Sequence, residues 1–239
     1  MKKYIFMMAV ASLAIVSCNK DEVKEVKTGH EIDFHTAVTR GTETTIQNLQ
    51  QIYVTAYTGS ETNYFTDLLF SESEGYYKSD VKYYWPSDGS SINFVAYAPS
   101  AERLGVGAGS ATALTVNKTE QMLTAYSPAA NVTDQEDVLI AKAVGSKVDE
   151  ATGVELVFDH VLSQVEFKAY SNNEGYVFKV KGVKLANVVG TGDLNLNNMV
   201  WSTAAYGKVT YEVTYQDSTG AQVVTSVTAV EAIYERYGE

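Results

Sequence analysis

The chain has 239 residues, 45% of them hydrophobic, and a formal net charge of −11. That is enough apolar material for one or two cores, and an acidic chain without a basic cluster cannot hold nucleic acid through its phosphates or an anionic lipid surface through a polybasic patch. A single cysteine, Cys18, excludes an internal disulfide framework.

The chain opens with Met1-Lys2-Lys3 and an almost wholly apolar run from Tyr4 to Val16. The run is too short to span a bilayer, which needs about 20 apolar residues, but it fits the core of a secretory signal. Ile15-Val16-Ser17-Cys18 follows, aliphatic then small before the cysteine. This resembles the lipobox of bacterial lipoproteins, which implies a signal peptide over residues 1–17 and a lipid on Cys18. Several acyl chains on one residue suffice for stable anchoring. Without the two lysines of the first 17 residues, the remainder carries −13. Asn19-Lys20-Asp21-Glu22 resembles the export signal that sends lipoproteins of Gram-negative anaerobes to the outer face of the outer membrane. Residues 18–30 are polar and read as a tether.

Beyond residue 30 period-two patterns dominate. Glu31 to Val38 alternates polar and apolar residues, as a half-buried strand does. QIYVTAY at 51–57 is a second strand, and Tyr76-Tyr77-Lys78 and Val81 to Trp85 read as short ones. Pro86-Ser87-Asp88-Gly89 has turn chemistry. SINFVAY at 91–97 is mostly apolar, which predicts a central strand buried on both faces, ending at Pro99. Residues 100–136 are rich in Ala, Gly, Ser and Thr and predict a long excursion with weak strands such as Ala113 to Val116. The glycines at 105, 107 and 109 lack nucleotide-loop spacing, so this is a flexible loop. Strands are expected at Asp137 to Ala141, Val154 to Phe158 with an extended continuation to Tyr170, Tyr176 to Val188, Val209 to Tyr215 and Gln222 to Val230. The last two flank Asp217-Ser218-Thr219-Gly220 and read as a hairpin. About ten short strands predict an all-β sandwich architecture.

Four segments then fall in order. Tyr84-Trp85-Pro86 precedes Asn93-Phe94-Val95-Ala96-Tyr97-Ala98-Pro99; Asp137-Val138-Leu139-Ile140-Ala141 comes next, then Phe158-Asp159-His160-Val161-Leu162-Ser163-Gln164-Val165-Glu166-Phe167. Together they resemble the conserved blocks of the fimbrillin family, over roughly residues 1–200. The resemblance implies two transthyretin-like β-sandwich domains in tandem, 31–158 and 159–239, the second short or incomplete. It implies a surface lipoprotein of the outer membrane or fimbrium that acts in fimbrial assembly or adhesion and is not an enzyme. Its partners would be other fimbrial subunits, or itself, or a host or bacterial surface ligand.

In shaft subunits of that family a trypsin-like surface protease cuts after an arginine. The first strand is lost, and a strand of another subunit fills the groove. Here the matching strand is Ile32 to Val38 and the matching arginine is Arg40, in Thr39-Arg40-Gly41; an ordinary turn arginine is the competing reading. The sequence stops at Tyr237-Gly238-Glu239 without the closing strands usual in the family, as a short domain or a truncated sequence would, and this weakens a shaft role most. A surface lipoprotein that binds glycan or host protein without polymerising is the alternative. Tyrosines and Trp201 lining one groove would favour it, and an apolar groove under Ile32 to Val38 would favour strand exchange.

The histidines at 30, 35 and 160 lack catalytic or metal-ligand companions, and His160 reads as a hydrogen-bonded structural residue. Asp134, Glu136 and Asp137 fit no calcium loop and read as a solvated turn. No cofactor is implied. Asp217-Ser218-Thr219 resembles a bacterial O-glycosylation site, with Ser218 as acceptor.

Overall fold

The computed structural model describes residues 31–38, 49–59, 62–169, 178–214, 225–227 and 233–237. Cys18, Arg40 and Ser218 lie outside them. Among the described residues no helix is long and apolar enough to cross a membrane, and every regular element except two 3-10 turns is a strand.

Five strands come first: β1 (Phe34–Val38), β2 (Gln51–Tyr57), β3 (Asn63–Ser73), β4 (Tyr76–Lys78) and β5 (Ile92–Ala98). They are followed by β6 (Ala113–Val116), β7 (Gln121–Tyr126), β8 (Leu139–Gly145) and β9 (Val154–His160). Seven of these close a barrel in the order β1-β4-β3-β2-β5-β8-β9. Its interior is aromatic. Phe34 meets Phe70 edge-on at 4.9 Å and Phe94 at 5.1 Å, and Trp85 meets Phe94 at 6.1 Å, the geometry ring quadrupoles favour.

β3 was not foreseen, because its pattern breaks. Phe65 and Phe70 are both buried although five residues apart, a spacing that would put them on opposite faces of a regular strand. A bulge resolves the conflict. The β2–β3 register slips between Val54 and Ala56, Asp67 takes a φ of 49°, and its N–H donates to Thr55 Oγ1 at 3.0 Å. Tyr97 Oη donates to Asp67 Oδ1 at 2.5 Å and fixes the bulge from the neighbouring wall.

The remaining strands are β10 (Val165–Ala169), β11 (Phe178–Val180), β12 (Gly182–Val189), β13 (Gly192–Asn195), β14 (Val200–Ser202), β15 (Lys208–Thr214), β16 (Thr225–Val227) and β17 (Ile233–Tyr237). β13 and β14 join β7 and β6 in a four-stranded sheet ordered β14-β13-β7-β6. This sheet covers the outer face of β2, β5 and β8. A second core fills the gap, with Tyr57, Val95, Tyr97 and Ile140 from the barrel against Leu123, Val116, Leu194 and Leu196. β5 thus sends Phe94 and Ala96 inward and Val95 and Tyr97 outward, all buried, which is the two-sided burial its run predicts. The four-stranded sheet takes two strands from each side of residue 158.

Side chains close the joints of this sheet. Asn117 Oδ1 accepts from Thr119 N, Thr119 Oγ1 and Glu120 N, an Asx turn linking β6 to β7. Asp193 Oδ1 accepts from Ala125 N at 2.8 Å and Tyr206 Oη at 2.5 Å, where the β7–β13 register slips.

Three expectations need correction. Val81 to Trp85 makes only a bridge, Glu31 to Tyr84, because Trp85 turns inward as a plug of the barrel. The extended run after Asp159 is interrupted at 161–164, where Val161 N–H donates to Val138 O at 3.0 Å. Asp217 to Gly220 lies outside the described residues, and among those described the strands on either side do not pair with each other as expected: β15 pairs with β12, and β16 pairs with β11. Turn chemistry is local, and a distant strand with a matching apolar face (Leu185 opposite Tyr211) outcompetes it.

Candidate functional site

β1 is the strand that closes the barrel, and its two edges are held unequally. Against β9 it forms a parallel ladder from Phe34–Val154 to Val38–Phe158. Against β4 it is paired only at Phe34–Tyr77. Just before it, Ile32 N–H donates to Tyr83 O at 2.9 Å and Asp33 O accepts from Val154 N–H at 3.0 Å. An exposed Lys82–Glu31 ion pair adds little.

What holds β1 is its inner face. Ile32 is 4% exposed and Phe34 is fully buried, each contributing roughly 1.5–3 kcal/mol. Below them lie Phe70, Tyr77, Phe94, Leu156 and Phe158, a trench that would stay apolar if the strand left. Tyr77 Oη donates to Leu49 O at 2.5 Å, and burial raises its pKa above 10, so it stays a donor at neutral pH. This bond ties Leu49, ahead of β2, to β4. Between Val38 and Leu49 lies the segment carrying Arg40, outside the described residues. On the opposite face of the strand His35 Nδ1 is buried without a partner among the described residues.

The other singled-out side chains disperse. His160 Nδ1 lies 2.5 Å from Asp137 Oδ2, a close contact between the end of β9 and the lead-in to β8 that lacks hydrogen-bond geometry. Glu136 accepts from Arg103, and Asp134 accepts from Asn131 Nδ2 at 3.0 Å. The three carboxylates thus serve three different partners, and no metal-binding group of three occurs among the described residues. The glycine-rich loop anchors through Leu104, 3% exposed in the second core. Trp201 and two tyrosines do share a concavity, with Tyr126 and Tyr211, but both tyrosines are buried rather than displayed.

The profile of the fimbrillin-like family matches residues 39–234. The chain belongs to the fimbrillin-like family. Two solved structures agree on the fold. A fimbrial protein from Bacteroides vulgatus is similar at 15% identity and a TM-score of 0.55, covering 84% of this chain and 76% of its own. A candidate cell adhesion protein from Bacteroides uniformis is similar at 14% identity and a TM-score of 0.53, with 85% and 75% covered. The fimbrial anchor protein Mfa2 from Porphyromonas gingivalis is similar at 12% identity and a TM-score of 0.37, with 86% and 76% covered. Among curated proteins none matches.

Proposed function

We propose that this fimbrillin-like chain is a surface subunit of fimbrial assembly or adhesion, and that β1 is an exchangeable strand. One observation carries the reading: a strand whose inward Phe34, with Ile32 just before it, is buried in the core closes the barrel through one ladder and a single opposing pair. A groove left by such a strand offers unpaired backbone groups and an apolar trench, which another chain's strand satisfies together. Cleavage after Arg40 would leave β1 held without a covalent link on that side, by its ladder to β9 and its packing. In this reading Cys18 carries the lipid that ties the precursor to the outer membrane, the acceptor serine is Ser218, and other fimbrial subunits or further copies supply the strand. The two-domain division at residue 158 is kept, as tandem transthyretin-like sandwiches in which β13 and β14 are lent to the first. The chain acts by binding and has no catalytic task.

Limited trypsin treatment of the folded protein tests this. The expected product starts at Gly41 by mass spectrometry, keeps its β spectrum, and either oligomerises or takes up a synthetic peptide of residues 31–38. An Arg40→Ala variant resists that cut. Resistance of Arg40 in the wild type, or a clipped monomer that binds no strand, sinks the exchange reading and leaves the non-polymerising adhesin. For the lipid, palmitate labelling of Cys18→Ala equal to wild type would remove the anchor from the proposal.

A further inference from the structure

Between the four-stranded sheet and the β12–β15 ribbon lies a cavity of about 400 Å³. This lies within the roughly 300–1,000 Å³ of small-molecule sites. Its walls are the aromatic rings of Tyr126, Trp201 and Tyr211 with Val161, Leu185 and Val188. Two glycines let the walls approach. A Cβ on Gly190 would lie 2.2 Å from Val209 Cγ2 and 2.7 Å from Tyr211 Oη, and one on Gly192 would lie 2.9 Å from Trp201 Cε3. The site is therefore shaped by its sequence and is not a gap between loops.

Its polar groups are few and unequal in their partners. Trp201 Nε1 is satisfied, donating to Val161 O at 2.7 Å. Tyr126 and Tyr211 are 6% and 8% exposed, yet neither hydroxyl has a donor or acceptor among the described residues. Neither is among the buried polar atoms left without a partner, so both hydroxyls reach the open space of the cavity they line, where a guest can meet them. Burial holds both tyrosines protonated, Tyr126 up to about 12, so each has a proton to donate. Glu136, Asp137 and Tyr211 add to the rise at Tyr126, and the same negative field repels an anionic guest. A sugar fits poorly, because nearly every ring carbon brings a hydroxyl that apolar walls would leave unpaired.

We propose that this cavity binds a small, neutral, largely apolar molecule, aromatic or alicyclic, whose hydroxyl or carbonyl oxygen accepts from Tyr126 and Tyr211. The site shares no residue with β1 or its groove, so it stands or falls apart from strand exchange.

Nile red, a neutral polycyclic dye with one carbonyl, is a suitable probe of the full chain. Saturable one-to-one binding with dye fluorescence enhancement and quenching of Trp201 is expected. Val189→Trp, at a rim residue 45% exposed, should block the mouth and weaken binding at least tenfold while the melting temperature holds. The double variant Tyr126→Phe, Tyr211→Phe should weaken it about five- to tenfold, since the walls remain and the donors go. Absence of saturable binding overturns the proposal, as does dye binding indifferent to both sets of substitutions. Saturable, Val189→Trp-sensitive binding of maltopentaose or chitopentaose would reassign the site to glycan. Dye occupancy that falls as the chain dimerises on gel filtration would reassign it to a second copy.

Discussion

Strands β5 and β12 are of similar length, seven and eight residues, and both are rich in apolar side chains. β5 lies between β2 and β8 and buries every residue but Asn93. Among the described residues β12 has one neighbour, β15, and it buries none of its residues fully. A strand gains from each face only what the next layer covers. The barrel wall is covered twice, by its own interior and by the four-stranded sheet; the later ribbon is covered once and in part. A two-stranded ribbon is marginal alone, so its apolar side is where the molecule keeps capacity for a guest. The wall of β2, β5 and β8 is where it keeps stability. β1 stands between these extremes, buried like β5 on its inner face but held on one edge like β12.

Breaking the wall should have the largest effect. Phe94 is 1% exposed and touches Phe34, Phe65 and Trp85. Phe94→Asp puts an unpaired charge among aromatic rings and exceeds the stability of an ordinary domain. Circular dichroism and thermal melting should show no cooperative transition, and a melt like the wild type would remove β5 from the core.

Phe34→Ala is expected to follow, at about 3–5 kcal/mol for a fully buried phenylalanine. In the uncut protein this lowers the denaturant midpoint. After cleavage at Arg40 the same loss should appear as faster release of the first strand, about a hundred- to several-thousand-fold in affinity. Equal strand retention by the clipped wild type and the clipped variant would place the binding energy of β1 in its backbone ladder instead.

Trp201→Phe probes the lightly covered half. It removes the donor to Val161 O and leaves that carbonyl unpaired, at about 1–3 kcal/mol. The smaller cost than at Phe34 is the point of the comparison, and chemical denaturation measures both. A Trp201 effect as large as that at Phe34 would mean that the two halves share one cooperative core.

Legibility in the sequence followed the same division. SINFVAY could be read because both faces are covered and, Asn93 apart, its core from Ile92 to Tyr97 is apolar. Val154 to Phe158 could be read because one face is covered and its pattern alternates cleanly. Strand β3 could not, because a bulge at Asp67 shifts the period between Phe65 and Phe70, and nothing local to Asn63–Ser73 announces it. β7, β13 and β14 escaped for another reason. They are short, and they take their place from pairing across some 70 residues, as Leu123 does with Leu194. The misplaced hairpin has the same origin. The first strand was visible from its alternation, whereas the weakness of its β4 edge was not, since a single pairing is a property of the closed barrel. The cavity was half visible: Trp201 stood out, but the tyrosines that share it, at 126 and 211, are brought there only by the sheet and ribbon.

The smallest effect is expected from a hydroxyl alone. Tyr126→Phe leaves ring and packing in place and removes a group with no partner among the described residues, so at pH 7 the melting temperature should hardly move. The difference appears in alkali. Burial, reinforced by Glu136, Tyr211 and Asp137, raises the folded pKa of Tyr126 to about 12, whereas an unfolded tyrosine ionises near about 10. The unfolded state thus loses its proton first, so its contribution to folding is intact below pH 10 and falls as pH rises from about 10 to about 12. The wild type should lose stability over that window faster than Tyr126→Phe, by up to about 1.4 kcal/mol per pH unit, with the remaining tyrosines common to both. Parallel melts from pH 8 to 12 measure it. Superimposable curves would show that water reaches the hydroxyl freely, and would take from the cavity one of the two donors its guest requires.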